Sequence, residues 1–188
     1  MNPQTDATPT VLPQELHAQL QNRTASEFQR LISMASGQID RMFGILFLLQ
    51  WIGAVLTAYI VSPQTWIGTS SYLHLHVSAA FFIGASLTIP VLLLIRRQPG
   101  STMNQFLIST NQAIYSALLI HLSGGRIETH FHVFGSLAFL ALYRDWRVLI
   151  PATLLTAADH FLRGTFWPQS VFGTPFATDW RWLEHAGW

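Results

Sequence analysis

Residues 43–61 read FGILFLLQWIGAVLTAYIV, nineteen positions without a charge. An apolar run of about 17 to 25 residues has the length an α-helix needs to cross a bilayer. Four more runs follow the same pattern. They cover about Leu73 to Ile95, Asn104 to Leu122, Ile127 to Tyr143 and Val148 to Leu162. The third carries Asn104, Gln105, Asn111 and Gln112, so it reads as a helix packed among others rather than one bathed in lipid. Another apolar helix begins near Trp180 and is cut by the last residue, Trp188. The fold these runs predict is all-α: a polytopic transmembrane bundle of five spans plus the start of a sixth. Residues 13–42 have helical periodicity, with Leu16, Leu20, Phe28, Leu31, Ile32 and Ile39 recurring at spacings of mostly three, four or eight. The expected organisation is a leader with an amphipathic helix over 1–42 and a transmembrane domain over 43–188.

Composition agrees. The chain of 188 residues is 50% hydrophobic and 10% charged, whereas an ordinary soluble domain is about a quarter charged. All ten basic residues are arginine and none is lysine. No basic stripe exists to neutralise phosphates, which argues against nucleic acid as a partner. Cysteine is absent, so disulfides, thiolate metal sites and cysteine nucleophiles are excluded together. Threading the spans places Arg126, Arg163 and Arg181 on one side, and Arg23, Arg30, Arg41, Arg96, Arg97, Arg144 and Arg147 on the other. The richer side should be cytoplasmic. The amino terminus is then expected inside, in a multi-pass membrane protein with lipid as its first partner. The opening residues lack the basic and apolar regions of a signal peptide.

Seven of the eight histidines then fall near the outer boundary: His74, His76, His121, His130, His132, His160 and His185. At 1.5 Å of rise per residue, all lie within about 10 Å of it. Glu128, Asp159 and Glu184 are interleaved with them. Polar side chains at such depth are costly and usually functional. Imidazole with carboxylate suits zinc, copper or iron, and two histidines on different spans at one depth could hold haem b. Histidine also titrates near neutrality, so a proton could be the signal. The expected ligands are Glu128, His130, His132, His160 and His185, with His76 and His121 next. Asp159, Glu184 and His74 are expected to orient those rings or replace them. Residues two apart on a helix diverge by about 200°, so His74 and His76, and likewise His130 and His132, cannot both face inward from a regular helix. Gly124-Gly125 reads as a tight turn that brings His121 and His130 close. Residues 164–179 form a loop long enough to cover the histidine layer. No Walker loop, GxSxG elbow, HExxH or Rossmann fingerprint occurs, so these residues carry no catalytic motif.

The block GGRIETHFHVFGSLAFLALYRDWRVLIPA, then Asp159-His160 and Trp182-x-Glu184-His185-Ala186-Gly187, resembles the amino-terminal membrane sensor region of bacterial histidine kinases, diguanylate cyclases and chemoreceptors. The variant ADHFLRGTFWPQS looks most like the histidine-kinase members. One position departs: members of this type often carry a His-His pair where this chain has Asp159-His160. The resemblance implies a sensory input domain, a sixth span after Trp188, a cytoplasmic transmitter domain with its response regulator, and a homodimer. Two other functions are compatible with the residues. A desaturase-like or hydroxylase-like metalloenzyme would use many histidines, but generally in HxxxH or HxxHH clusters on the cytoplasmic side. A b-type haem electron-transfer subunit would carry paired histidines at both leaflets.

Overall fold

The computed structural model describes residues 14–178 and 180–186, without the side chains of 185 and 186. Residues 1–13 of the expected leader lie outside that range. Seven α-helices are present among the described residues: α1 (Gln14–Val61), α2 (Leu75–Arg97), α3 (Thr102–Leu122), α4 (Ile127–Leu140), α5 (Leu149–Phe166), α6 (Pro168–Phe172) and α7 (Arg181–Ala186). A short antiparallel hairpin, β1 (Gln64–Ile67) and β2 (Ser70–Leu73), joins α1 to α2. Its tight turn uses Gly68 at φ +61°, which suits glycine. Trp66 and Tyr72 sit on these strands, each more than half exposed. Apart from this hairpin the class is all-α, as the periodicity predicts.

Two details differ from the expectation. The leader helix and the first span are one unbroken helix of 48 residues, about 72 Å long at 1.5 Å per residue. Nothing in residues 14–42 breaks a helix: there is no proline after Pro13, and its one glycine, Gly37, is accommodated where α1 packs on Pro99. The second difference concerns the spans. Among the described residues only α1 and α2 are long and apolar enough to cross a bilayer by length and composition, so five crossings are not supported on that measure. α4 has 14 residues and α5 has 18, or roughly 21 and 27 Å against a hydrocarbon core of about 30 Å. α3 has 21 residues, but its composition is diluted by the polar side chains it buries.

α3 is the central helix, packed on α1, α2, α4 and α5. Its buried positions include Asn104, Gln105, Ser109, Asn111, Gln112 and Ser116. Large apolar side chains point the other way: Ile45, Leu49, Ile52, Phe82, Phe131 and Leu154 are each more than half exposed. The outer surface of the bundle is thus rich in large apolar side chains, while polar groups share its interior with an apolar core. Each inward polar group must find a partner, because an unpaired buried one costs roughly 1–3 kcal/mol. They do. Asn111 donates to the Leu87 carbonyl at 2.8 Å. The Tyr115 hydroxyl meets Thr88 Oγ1 at 2.6 Å and the Gly84 carbonyl at 3.0 Å. These contacts fall just before Pro90, which has no N–H to donate within α2.

At the end of the bundle away from the histidines, Asp40 of α1 is fully buried. Its carboxylate accepts from the Tyr143 hydroxyl at 2.6 Å, the Gly100 N–H at 2.7 Å and Asn104 Nδ2 at 3.0 Å. One side chain thus ties α1 to the α2–α3 turn, to α3, and to the 3-10 turn Ala141–Tyr143 that follows α4. Phe43 stacks on Tyr143 at 5.8 Å between centroids, with planes 6° apart. By contrast residues 14–35 are exposed throughout.

The α1–α2 contact is closest where the Trp51 indole fills the notch left by Gly84 and donates to the Phe81 carbonyl at 3.0 Å. A Cβ at Gly84 would lie 2.3 Å from Trp51 Cδ1, whereas one at Gly53 would meet nothing within 4 Å. Gly84→Ala should therefore cost about 1–3 kcal/mol by overpacking, and Gly53→Ala should not destabilise. Thermal unfolding of the two variants in the same detergent checks the difference.

Candidate functional site

The expected histidine layer divides into separate environments. His130 on α4 and His160 on α5 are buried and face each other across the two helices, with ring centroids 5.5 Å apart and planes at 77°. Each turns Nδ1 to the carbonyl four residues back, Arg126 and Thr156 respectively, at 3.0 Å. A carbonyl can only accept, so Nδ1 carries the proton on both rings, and any ligation must use Nε2.

These rings line a cleft of about 470 Å³ between α4 and α5, within the usual range for small-molecule sites. Ile127, Val133, Phe134 and Leu137 form its α4 wall, and Arg181 and Glu184 of α7 also line it. The cleft exists because α4 and α5 each pack on α3 more than on one another.

His74, His76 and His121 form a second row. Centroids of His74 and His76 are 4.4 Å apart, and those of His76 and His121 are 4.9 Å apart. Trp167 closes the row at 4.9 Å from His121. His74 is also the N-cap of α2, its Nδ1 accepting from the His76 backbone N–H at 3.1 Å. Gly124-Gly125 does make a tight turn, with both φ values positive. The rings of His121 and His130 nonetheless join different groups.

His132 points to a third place, the polar interior shared by α1, α3 and α4. There Gln50 Nε2 meets its Nε2 at 2.9 Å and Ser116 Oγ meets its Nδ1 at 2.8 Å. The 200° divergence within His130-x-His132 thus sends one ring to α5 and the other to α1.

The carboxylates are similarly distributed. Asp159 is held by Arg163, whose Nε and Nη2 donate to Oδ1 and Oδ2, both at 2.6 Å. The same guanidinium donates to Ser170 Oγ at 2.8 Å and to the Ala117 carbonyl at 3.1 Å. Ser170 in turn meets His121 Nδ1 at 2.8 Å. Asp159 Oδ2 lies 3.6 Å from His160 Nδ1. An Asp159–Arg163–Ser170 bridge therefore connects the His121 row to the His130–His160 pair. Glu128 pairs outward with Arg126 at 3.1 Å, the side chains being 63% and 67% exposed. Glu184 lines the cleft, and the His185 side chain lies outside the described residues. The expected covering loop contains α6, which buries Ser170, Val171 and Phe172.

Arg163 was legible only as a charge that oriented the chain. Its four-residue spacing from Asp159 was the signal for an ion pair on one helix. Nothing in the sequence singled out Asp40 or paired Gln50 with Gln112.

Among the described residues no three histidine or carboxylate groups are arranged to hold a metal ion. By ring spacing two pairs suit a shared ion, His76–His121 at 4.9 Å and His130–His160 at 5.5 Å, and only the second lines the cleft. Two imidazoles bound through nitrogen at about 2.1 Å to one tetrahedral ion have centroids roughly 5 Å apart, while rings on opposite faces of a haem need more than about 6 Å. The observed 5.5 Å with steeply inclined rings is nearer the first.

Comparison with known proteins yields a limited similarity. The chain is 31% identical over 77 residues to the transducer protein Htr8 of Halobacterium salinarum, a match covering 41% of this chain and 12% of that protein. No family model matches the chain, and no solved structure matches it. The similarity supports a signalling role and nothing narrower.

Removing Arg163 would leave a largely buried carboxylate without its bidentate partner. Arg163→Ala should lower stability by about 2 kcal/mol or more, whereas Glu128→Gln, in an exposed pair, should leave the unfolding temperature unchanged. Paired melting curves test this.

Proposed function

We propose that this chain is the membrane-embedded sensory input region of a signal-transduction protein, and that it receives its signal in the α4–α5 cleft. The observation that carries the reading is the juxtaposition of His130 and His160 on a cleft whose other walls are largely apolar. The similarity to a transducer protein favours a signalling role. The apolar outer surface of leucine, isoleucine and phenylalanine, with asparagine, glutamine and serine side chains turned into the core, favours a bundle set in lipid. It also accounts for α3, which needs no apolar surface if its neighbours shield it.

In this reading the bundle lies in the cytoplasmic membrane as a multi-pass domain. The amino-terminal part of α1 is inside and the histidines are near the outer face. The whole protein is a dimeric histidine kinase whose transmitter domain passes the signal to a response regulator. The ligand is a transition-metal ion taken by Nε2 of His130 and His160, with Glu184 as the third donor from α7. Glu184 has to approach the two rings to complete the site. A ligand that is better satisfied in the closed packing than in the open one shifts the population between them, and this difference is what any receptor transmits.

Titration of the purified full chain with Zn²⁺ by isothermal calorimetry tests the site. His130→Ala, His160→Ala and Glu184→Gln should each weaken binding at least tenfold, and His132→Ala should bind like the parent. Binding that is untouched by the first three variants, or lost equally in the fourth, would sink the assignment.

A further inference from the structure

The two histidines of the His130-x-His132 pair have different surroundings, and the second one connects α4 to a helix that forms no part of the cleft. Gln50 of α1 donates through Nε2 to Gln112 Oε1 and to His132 Nε2, both at 2.9 Å. The Ser116 hydroxyl gives its proton to the Gln112 carbonyl at 2.9 Å. Its oxygen is then the acceptor for Nδ1–H of His132 at 2.8 Å. Ser136 donates to Gln112 Oε1 at 3.1 Å and its oxygen lies 3.3 Å from the same Nδ1. The pattern is self-consistent for a single neutral tautomer, with the proton on Nδ1 and the lone pair on Nε2 facing Gln50. Gln50, Gln112, Ser116 and Ser136 are all buried, so breaking the bond between His132 and Gln50 leaves polar atoms without water to replace it.

A second connection between α4 and α1 lies further down. Tyr143, in the turn that ends α4, is bonded to Asp40 and stacked on Phe43. α1 is therefore attached to the α4 unit at two levels, Gln50 and Asp40. α1 is also the helix that leaves the bundle: residues 14–35 project from it with no described residue burying them.

We propose that a change at the cleft leaves the bundle along α1, with His132 as the positioning residue that makes Gln50 follow α4. The proposal rests on the cleft as the place where the signal is received, but not on the identity of the ligand. In this arrangement the doublet has two roles: His130 faces the site, and His132, about 200° around the same helix, hands its position to α1.

The chain contains no cysteine, which permits a test without any ligand. Leu137→Cys on α4 and Thr153→Cys on α5 line the same cleft, and a bimane bridge between them closes it. The reporter is Trp51, next to Gln50, observed by fluorine NMR in the full chain labelled with 5-fluorotryptophan and assigned by Trp51→Phe. Bridging, scored complete by mass, should move the Trp51 resonance. The movement should fall at least fivefold when His132→Ala is added and equally when Gln50→Leu is added. If either variant fails to fold, the other decides. A movement of the same size in both variants, or no movement in the parent, overturns the proposal. Failure of Zn²⁺ to bind would instead count against the metal reading and leave this result as it stands.

Discussion

A polar side chain turned inward in this bundle has to be paired by another part of the chain, and that requirement organises the fold. Burial without a partner costs more than a typical pairing contributes, so the pairings dictate which helices must be adjacent. Asp40 can be satisfied only if the α2–α3 turn, Asn104 and Tyr143 converge on it. Gln50, Gln112 and His132 satisfy one another only if α1, α3 and α4 meet at one height. Apolar contacts alone would tolerate sliding of one helix past another. These bonds fix the register and leave the outer surface free to be apolar.

The same requirement explains why the histidines separate. Each ring has to use its own nitrogens locally before it can serve a ligand. His74 caps a helix, His121 meets Ser170 and His132 joins the α1–α3 network. His130 and His160 give Nδ1 to their own backbones and face each other between α4 and α5. Asp159 is committed to Arg163 with both oxygens. Depth in the bundle brought these residues to one end, but azimuth around each helix decided which of them meet.

The sequence therefore conveyed class and depth better than direction. Helical runs, the central position of a polar α3 and the opposed faces of His130 and His132 follow from periodicity. The hairpin over residues 64–73 did not, because strands so short and exposed show no clear alternation. The merging of the leader with the first span was missed because a change in composition near residue 42 is not a break in the backbone. Partners such as Asp40 with Gly100, or Gln50 with His132, are 60 and 82 positions apart, and no single-chain pattern encodes such distances. Arg163 shows a third limit. Counting it as a topological charge obscured its hydrogen bonds to three separate elements.

The unbroken length of α1 has a mechanical consequence. Gln50 lies about 15 Å from Asp40 along the axis, and Gln14 about 39 Å from Asp40 in the opposite direction. A stiff rod pinned at Asp40 is a lever with unequal arms, so a displacement of 1 Å imposed at Gln50 becomes roughly 2.6 Å at the far tip. The long arm amplifies in amplitude what it gives up in force, and a helix broken by a proline near residue 25, where every side chain is exposed, would lose much of that gain while keeping the contacts of the bundle.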